Sequence, residues 1–190
     1  MGASFVPKST LEARAEDVRR AAIDAGVPAE FPFDVESTVE FLLEFDLNLG
    51  ADLPKGILGL TNFDRRLVSV SGSITNDGRR RFTVAHEIGH IVLHRSILEA
   101  GLVQPSMFIS ESAAAAQDDS MEWQANFFAA ALLMPREAVA ARFGRDARAG
   151  RLVAPERVAD AFGVSREAAT IRLQELDFHK REAGGGRRLF

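Results

Sequence analysis

The chain contains no cysteine. That excludes disulfides, thiolate metal ligands and a cysteine nucleophile, and it fits a reducing compartment. It contains no tyrosine either, so a mechanism that needs a phenolic hydroxyl is closed to it. No apolar run approaches the roughly 18 residues that a membrane-spanning helix requires. Met1 to Lys8 shows no basic start followed by an apolar stretch, so no secretory signal is visible. A cytoplasmic protein without membrane contact is the expectation. Lysine is scarce, at 3 residues against 20 arginines, and the formal net charge is −4. That balance argues against broad nucleic-acid binding while leaving room for a local basic patch. What is present suffices for a packed core: 46% of 190 residues are hydrophobic, enough for one domain with at most a small appendage.

Histidine is also rare, yet three of the four histidines fall in one run, at His86, His90 and His94. The first two belong to His86-Glu87-Ile88-Gly89-His90, an H-E-x-x-H pattern inside a segment predicted to be helical from Phe82 to Leu98. Positions i and i+4 lie on one face of an α-helix, so both imidazoles can grip one ion. Their nitrogens suit tetrahedral Zn²⁺, and Glu87, beside the first ligand, can take a proton from a metal-activated water. A lone histidine on such a helix is better read as a satisfied core residue. Two at this spacing with a glutamate between them point to metal chemistry. His94 lies one turn further along and about 40° further round, which takes it away from the same ion. It reads as structural or substrate-facing.

A catalytic zinc needs three protein ligands and an open position. Ser120 can cap a helix from Met121 to about Met134, in which Glu122 is the only acid and Asn126 follows at i+4. Glu122 is the preferred third ligand. Asn126 would accept from the second ring nitrogen of a ligating histidine. Ala125 and Ala129 are small enough to let this helix approach Gly89. Glu122 could instead be a favourable acid at a helix N-terminus. Glu111, Asp118 and Asp119, in the aperiodic stretch from Gly101 to Asp119, are competing ligands. A His₂Glu set accepts Mn²⁺ as well as Zn²⁺.

Elsewhere the pattern predicts a first helix from Ser9 or Thr10 to about Ala25, stopped by Gly26, and a second from Glu36 to Phe45. A strand is expected near Leu47 to Leu49, and a hairpin from Ile57 to Thr61 and Arg66 to Ser71. Asn76-Asp77-Gly78 reads as a turn. Pro135 starts a helix that Gly144 should end. Pro155 to Leu176 has the small residue, the Gly163-Val164-Ser165 turn and the apolar contact of a helix-turn-helix. Its second helix mixes Glu167 and Glu175 with Arg166 and Arg172, so direct nucleic-acid binding is not expected. The organisation expected is residues 1–150 as the main domain, 151–178 as a helical pair packed on it, and 179–190 as a disordered tail.

Two blocks carry a resemblance to a known family. One runs from Arg79-Arg80-Arg81-Phe82 through the H-E-x-x-H to Leu93-His94, and the other from Glu122-Trp123-Gln124-Ala125-Asn126 to Met134-Pro135. In this order they resemble the ImmA/IrrE metallopeptidases. The resemblance implies an α+β, mostly helical, zincin-like fold, with a small antiparallel sheet beside the active-site helix and the C-terminal helix-turn-helix-like pair. It implies His86, His90 and Glu122 as ligands of Zn²⁺, Glu87 as general base and Asn126 as a supporting residue. It also implies a cytoplasmic zinc endopeptidase that cleaves a helix-turn-helix repressor and so switches on stress or mobile-element genes. With no tyrosine to steady an oxyanion, His94, Arg80 and Arg81 are the remaining candidates for that contact or for substrate. The rival expectation is a DNA-binding regulator or metal sensor whose zinc site is structural and non-proteolytic.

Overall fold

A computed structural model describes residues 6–99, 120–149 and 151–178. The competing ligands Glu111, Asp118 and Asp119, and the expected tail at 179–190, lie outside the described residues.

Helix α1, Lys8–Asp24, buries Leu11, Ala15, Val18 and Ala22, a 4-3-4 spacing that puts one stripe on the core. It ends as the sequence predicts. Gly26 adopts φ 100°, and Val27 N–H reaches back to Ala22 O, a closure that favours glycine at the left-handed position. The second helix departs from expectation. Asp34 caps a single turn, α2, Val35–Ser37, by accepting from Ser37 N–H at 2.9 Å. A π-helical turn over Thr38–Leu42 follows, and Glu44 turns the chain at φ 57°. The reason lies far along the sequence. Arg66 donates to the carbonyls of Leu43 and Glu44, satisfying groups that a continuing helix would have bonded itself.

The turn delivers the chain into β1, Asp46–Ala51, followed by β2, Gly59–Asn62, and β3, Leu67–Ser71. β2 and β3 form the predicted hairpin, with Thr61 opposite Val68. The sheet is mixed rather than wholly antiparallel, because its order is β1-β3-β2 and β1 runs parallel to β3. A hairpin signal reports only neighbours joined by a short turn, and β1 is joined to β3 through the intervening strand. Val68 and Val70 point into the core, and β2 is an edge strand among the described residues.

Helix α3, Asp77–Glu99, begins five residues before Phe82. Asn76 caps it, accepting from Arg79 N–H at 2.8 Å, so the expected turn becomes a helix start. Helix α4, Ser120–Leu133, is largely apolar apart from Glu122, Gln124 and Asn126 near its start, is buried along nearly its whole length and lies between α1 and α3. Helix α5, Arg136–Arg148, runs through Gly144 instead of ending there. Val139 and Phe143, both buried, hold its face to the core against a glycine cost of about 1 kcal/mol. Helix α6, Pro155–Phe162, turns at Gly163 with φ 61° into α7, Arg166–Glu175, capped by Ser165.

Candidate metal centre

His86 and His90 project from consecutive turns of α3, with their Nε2 atoms 3.0 Å apart. Glu122, from the first turn of α4, places Oε2 3.1 Å from His86 Nε2 and Oε1 3.0 Å from His90 Nε2. One ligating atom from each of the three lies within 4.8 Å of the others, so the three could hold one metal ion. Close approach of the helices depends on Gly89. A methyl group there would sit 3.1 Å from Ala125 Cα and 3.3 Å from the Phe128 ring. Ala125 therefore takes the place expected of it, with Phe128 beside it.

The donor set fits a cation. Asn126 Oδ1 lies 2.9 Å from His86 Nδ1 and can only accept there, which puts the ring proton on Nδ1 and leaves Nε2 with its lone pair. Glu122 Oε1 is buried and receives no hydrogen bond, although His90 Nε2 is beside it. Groups that can all accept thus converge in a buried place, an arrangement that a positive charge between them stabilises. Burial works to raise the Glu122 carboxyl, but the two imidazoles outweigh it and hold the group at about 2. Burial opposes charge on His86, yet the Glu122 carboxylate overrides it and raises the imidazole above its ordinary value. Both shifts have one cause, the pull of this cluster for positive charge.

Glu87 reaches the sheet. Thr61 Oγ1 donates to its Oε2 at 2.6 Å. Its Oε1 packs over Gly59, where any Cβ would come within 2.4 Å of it. Thr61 and Gly59 were not foreseen as part of the site. Hairpin strands announce themselves in a sequence, but which of their residues meets a helix 26 positions later does not.

The remaining candidates are engaged in other contacts. His94, 1% exposed, lies behind His90, with Nδ1 3.1 Å from His90 Nδ1 and Nε2 3.3 Å from Gln124 Oε1. Burial and then the neighbouring His90 push its pKa down to about 4. Arg81 donates to the carbonyls of Gly163 and Phe33, and Arg80 pairs with Asp77 at 2.8 Å. Arg81 therefore ties α3 to the turn of the C-terminal pair. That turn is close-packed on α3: a methyl group on Gly78 would fall 2.4 Å from the Val164 carbonyl carbon. Arg172 of α7 is fully buried, donating to Met134 O at 3.0 Å and to Glu12 of α1 at 2.9 Å.

Among solved structures, a Mycobacterium tuberculosis transcriptional regulator superposes with a TM-score of 0.58 at 18% identity, over 85% of this chain and 46% of its own. At that identity the likeness is one of fold, and the chain spans about half the length of that regulator. No curated protein matches. The family model of the IrrE N-terminal-like domain, a peptidase family, matches residues 53–174, a span that takes in the hairpin, α3, α4 and the C-terminal pair. The chain belongs to the ImmA/IrrE family of metallopeptidases.

Proposed function

We propose that this protein is a zinc-dependent endopeptidase that hydrolyses a peptide bond in a protein substrate. The observation that carries the reading is the convergence of the Nε2 atoms of His86 and His90 and the Glu122 carboxylate, with a second, separately held carboxylate, Glu87, next along α3. His86, His90 and Glu122 would hold the ion. Zinc in such a site polarises a carbonyl and lowers the pKa of water. Manganese suits the same donors. Glu87 has the role of general base. Thr61 occupies its Oε2, which leaves Oε1 to accept a proton from the attacking water and return it to the departing amine. The outer edge of β2, the strand that carries Thr61, offers main-chain groups to which an extended peptide can add.

The substrate we infer is a helix-turn-helix repressor, cleaved in the cytoplasm so that stress or mobile-element genes are released. Family membership supports that inference. The rival reading, DNA recognition by α6 and α7, is weakened because the turn and Arg172 are already spent on α3, α4 and α1. The test is Glu87→Gln in the full chain, incubated with the repressor encoded beside its gene. Zinc content should match the parent protein while cleavage falls by at least about 10²-fold. Cleavage at the parental rate would remove Glu87 from the mechanism. A parent protein that binds zinc but shifts a DNA fragment instead of cutting protein would favour the rival.

A further inference from the structure

We infer that His94 and Gln124 form a hydrogen-bond relay that sets the tautomer of His90 and aims its Nε2 at the metal position. The inference rests on the metal-centre reading above and extends it to two residues outside the ligand set. Both are positioning residues.

The geometry is a linear chain. His90 Nδ1 lies 3.1 Å from His94 Nδ1, and His94 Nε2 lies 3.3 Å from Gln124 Oε1. All three side chains are buried, so each proton must be placed by a protein partner rather than by bulk water. A neutral imidazole has one donor and one acceptor nitrogen. With the Gln124 oxygen facing it, His94 must donate from Nε2, so its Nδ1 must accept. His90 then has to donate from Nδ1, and its Nε2 is left as a lone pair turned toward Glu122 and His86. Reversing the Gln124 amide would reverse every step. His94 would donate to His90 Nδ1, and His90 Nε2 would carry a hydrogen aimed at Glu122 Oε1. That polarity blocks the ion. The orientation of one amide therefore decides whether the centre presents a ligand or a proton.

Helix α4 carries the whole apparatus on one short stretch: Glu122 as ligand, Gln124 behind His94, and Asn126 on His86 Nδ1. The two histidines are thus fixed by different devices. His86 has a single amide. His90 has an imidazole and then an amide, because His94 fills the space one turn further along α3.

The experiment measures zinc affinity by chelator competition, the visible spectrum of the cobalt-loaded protein, and the ¹⁵N shifts of the ring nitrogens in the metal-free full chain. His94→Leu should weaken zinc by about 10–100-fold, as loss of an outer partner does. It should also shift the cobalt bands and move His90 toward a mixture of tautomers. His94→Asn, which returns a carbonyl acceptor near Nδ1, should restore most of the affinity. Gln124→Leu, one step further out, gives a second reading if His94→Leu folds poorly. It should weaken zinc and redistribute the His94 tautomers. Parental zinc affinity and an unmoved His90 spectrum in Gln124→Leu and His94→Leu, with only the melting temperature lowered, would overturn the relay, and so would a His94→Asn protein that binds zinc no better than His94→Leu. The metal reading fails separately, if the parent protein does not bind zinc or if His86→Ala binds it equally well.

Discussion

The α3–α4 crossing and the α6–α7 pair both bury charged side chains, but the charges end on different kinds of partner. In the C-terminal pair, Arg172 meets Glu12 at 2.8 Å and a main-chain carbonyl, so opposite signs are matched inside the protein even though Arg172 Nη1, Glu12 Oε1 and Glu175 Oε2 make no hydrogen bond. At the α3–α4 crossing, groups that can all accept converge: His86 Nε2, His90 Nε2 and a Glu122 oxygen that no hydrogen bond reaches. The first arrangement balances its charges within the protein and fastens a helix. The second gains stability from a cation. Two stretches that both look like functional motifs are told apart by where their polar atoms finish.

Removing Glu122 should break the comparison on its chemical side. Glu122→Ala should lower zinc affinity by more than the roughly 10–100-fold that loss of an outer partner costs, as read by chelator competition. Full zinc retention would pass the third-ligand role to Glu111, Asp118 or Asp119. Arg172→Met tests the other side. The stranded carboxylates of Glu12 and Glu175 are about one-fifth exposed, at 22% and 19%, so the loss should sit near the lower end for a broken buried pair, about 3 kcal/mol in urea unfolding. Zinc affinity of the folded fraction should not change.

Two glycines sharpen the contrast, because the same added methyl meets different obstacles. At Gly78 it strikes the main chain of Val164 at 2.4 Å, and backbone cannot step aside. Gly78→Ala should destabilise the fold by about 1–3 kcal/mol while leaving cleavage per folded molecule intact. At Gly59 the nearest atom, also at 2.4 Å, is the tip of Glu87. A carboxylate can rotate, and the Thr83 methyl at 2.9 Å must also give, so stability should fall less than at Gly78, but the proposed base is displaced, and cleavage should fall by about 10²-fold. If Gly59→Ala unfolds the protein and Gly78→Ala abolishes cleavage, the division between the regions is wrong.

What was legible in the sequence followed periodicity and spacing. The i, i+4 histidines, the stop at Gly26, the hairpin and the Gly163 turn are local, and each lies where the pattern puts it. Local signals failed where a distant side chain decides the outcome. Arg66 ends the second helix from the turn between β2 and β3, and buried Val139 and Phe143 carry α5 through Gly144. The parallel β1–β3 pairing is likewise a matter of tertiary topology. At the metal centre, H-E-x-x-H and Glu122 could be proposed from spacing, but the residues that orient them could not. Thr61, Gly59 and Gln124 are ordinary residues in ordinary elements. Only the packing of β2 and α4 around α3 makes them partners.

The smallest effect expected is the one that separates holding Glu87 from merely having it. Thr61→Val keeps the shape and β-propensity of the strand and removes only the hydroxyl that donates to Oε2. A hydrogen bond to a charged acceptor is worth about 1.5–3 kcal/mol, and part of that should return when the carboxylate finds another donor or water. Cleavage should therefore drop by about tenfold, less than at Gly59, because Glu87 is loosened rather than pushed. The drop should appear in kcat, since a base that wanders is still present but seldom aligned. Zinc affinity should not move, because Thr61 is bonded to Glu87 and not to a ligand. Thr61→Ser, which keeps the donor, should recover most of the rate. If serine fails as badly as valine, the methyl packing of Thr61 is what matters, and β2 serves Glu87 as a wall rather than as a hydrogen-bond donor.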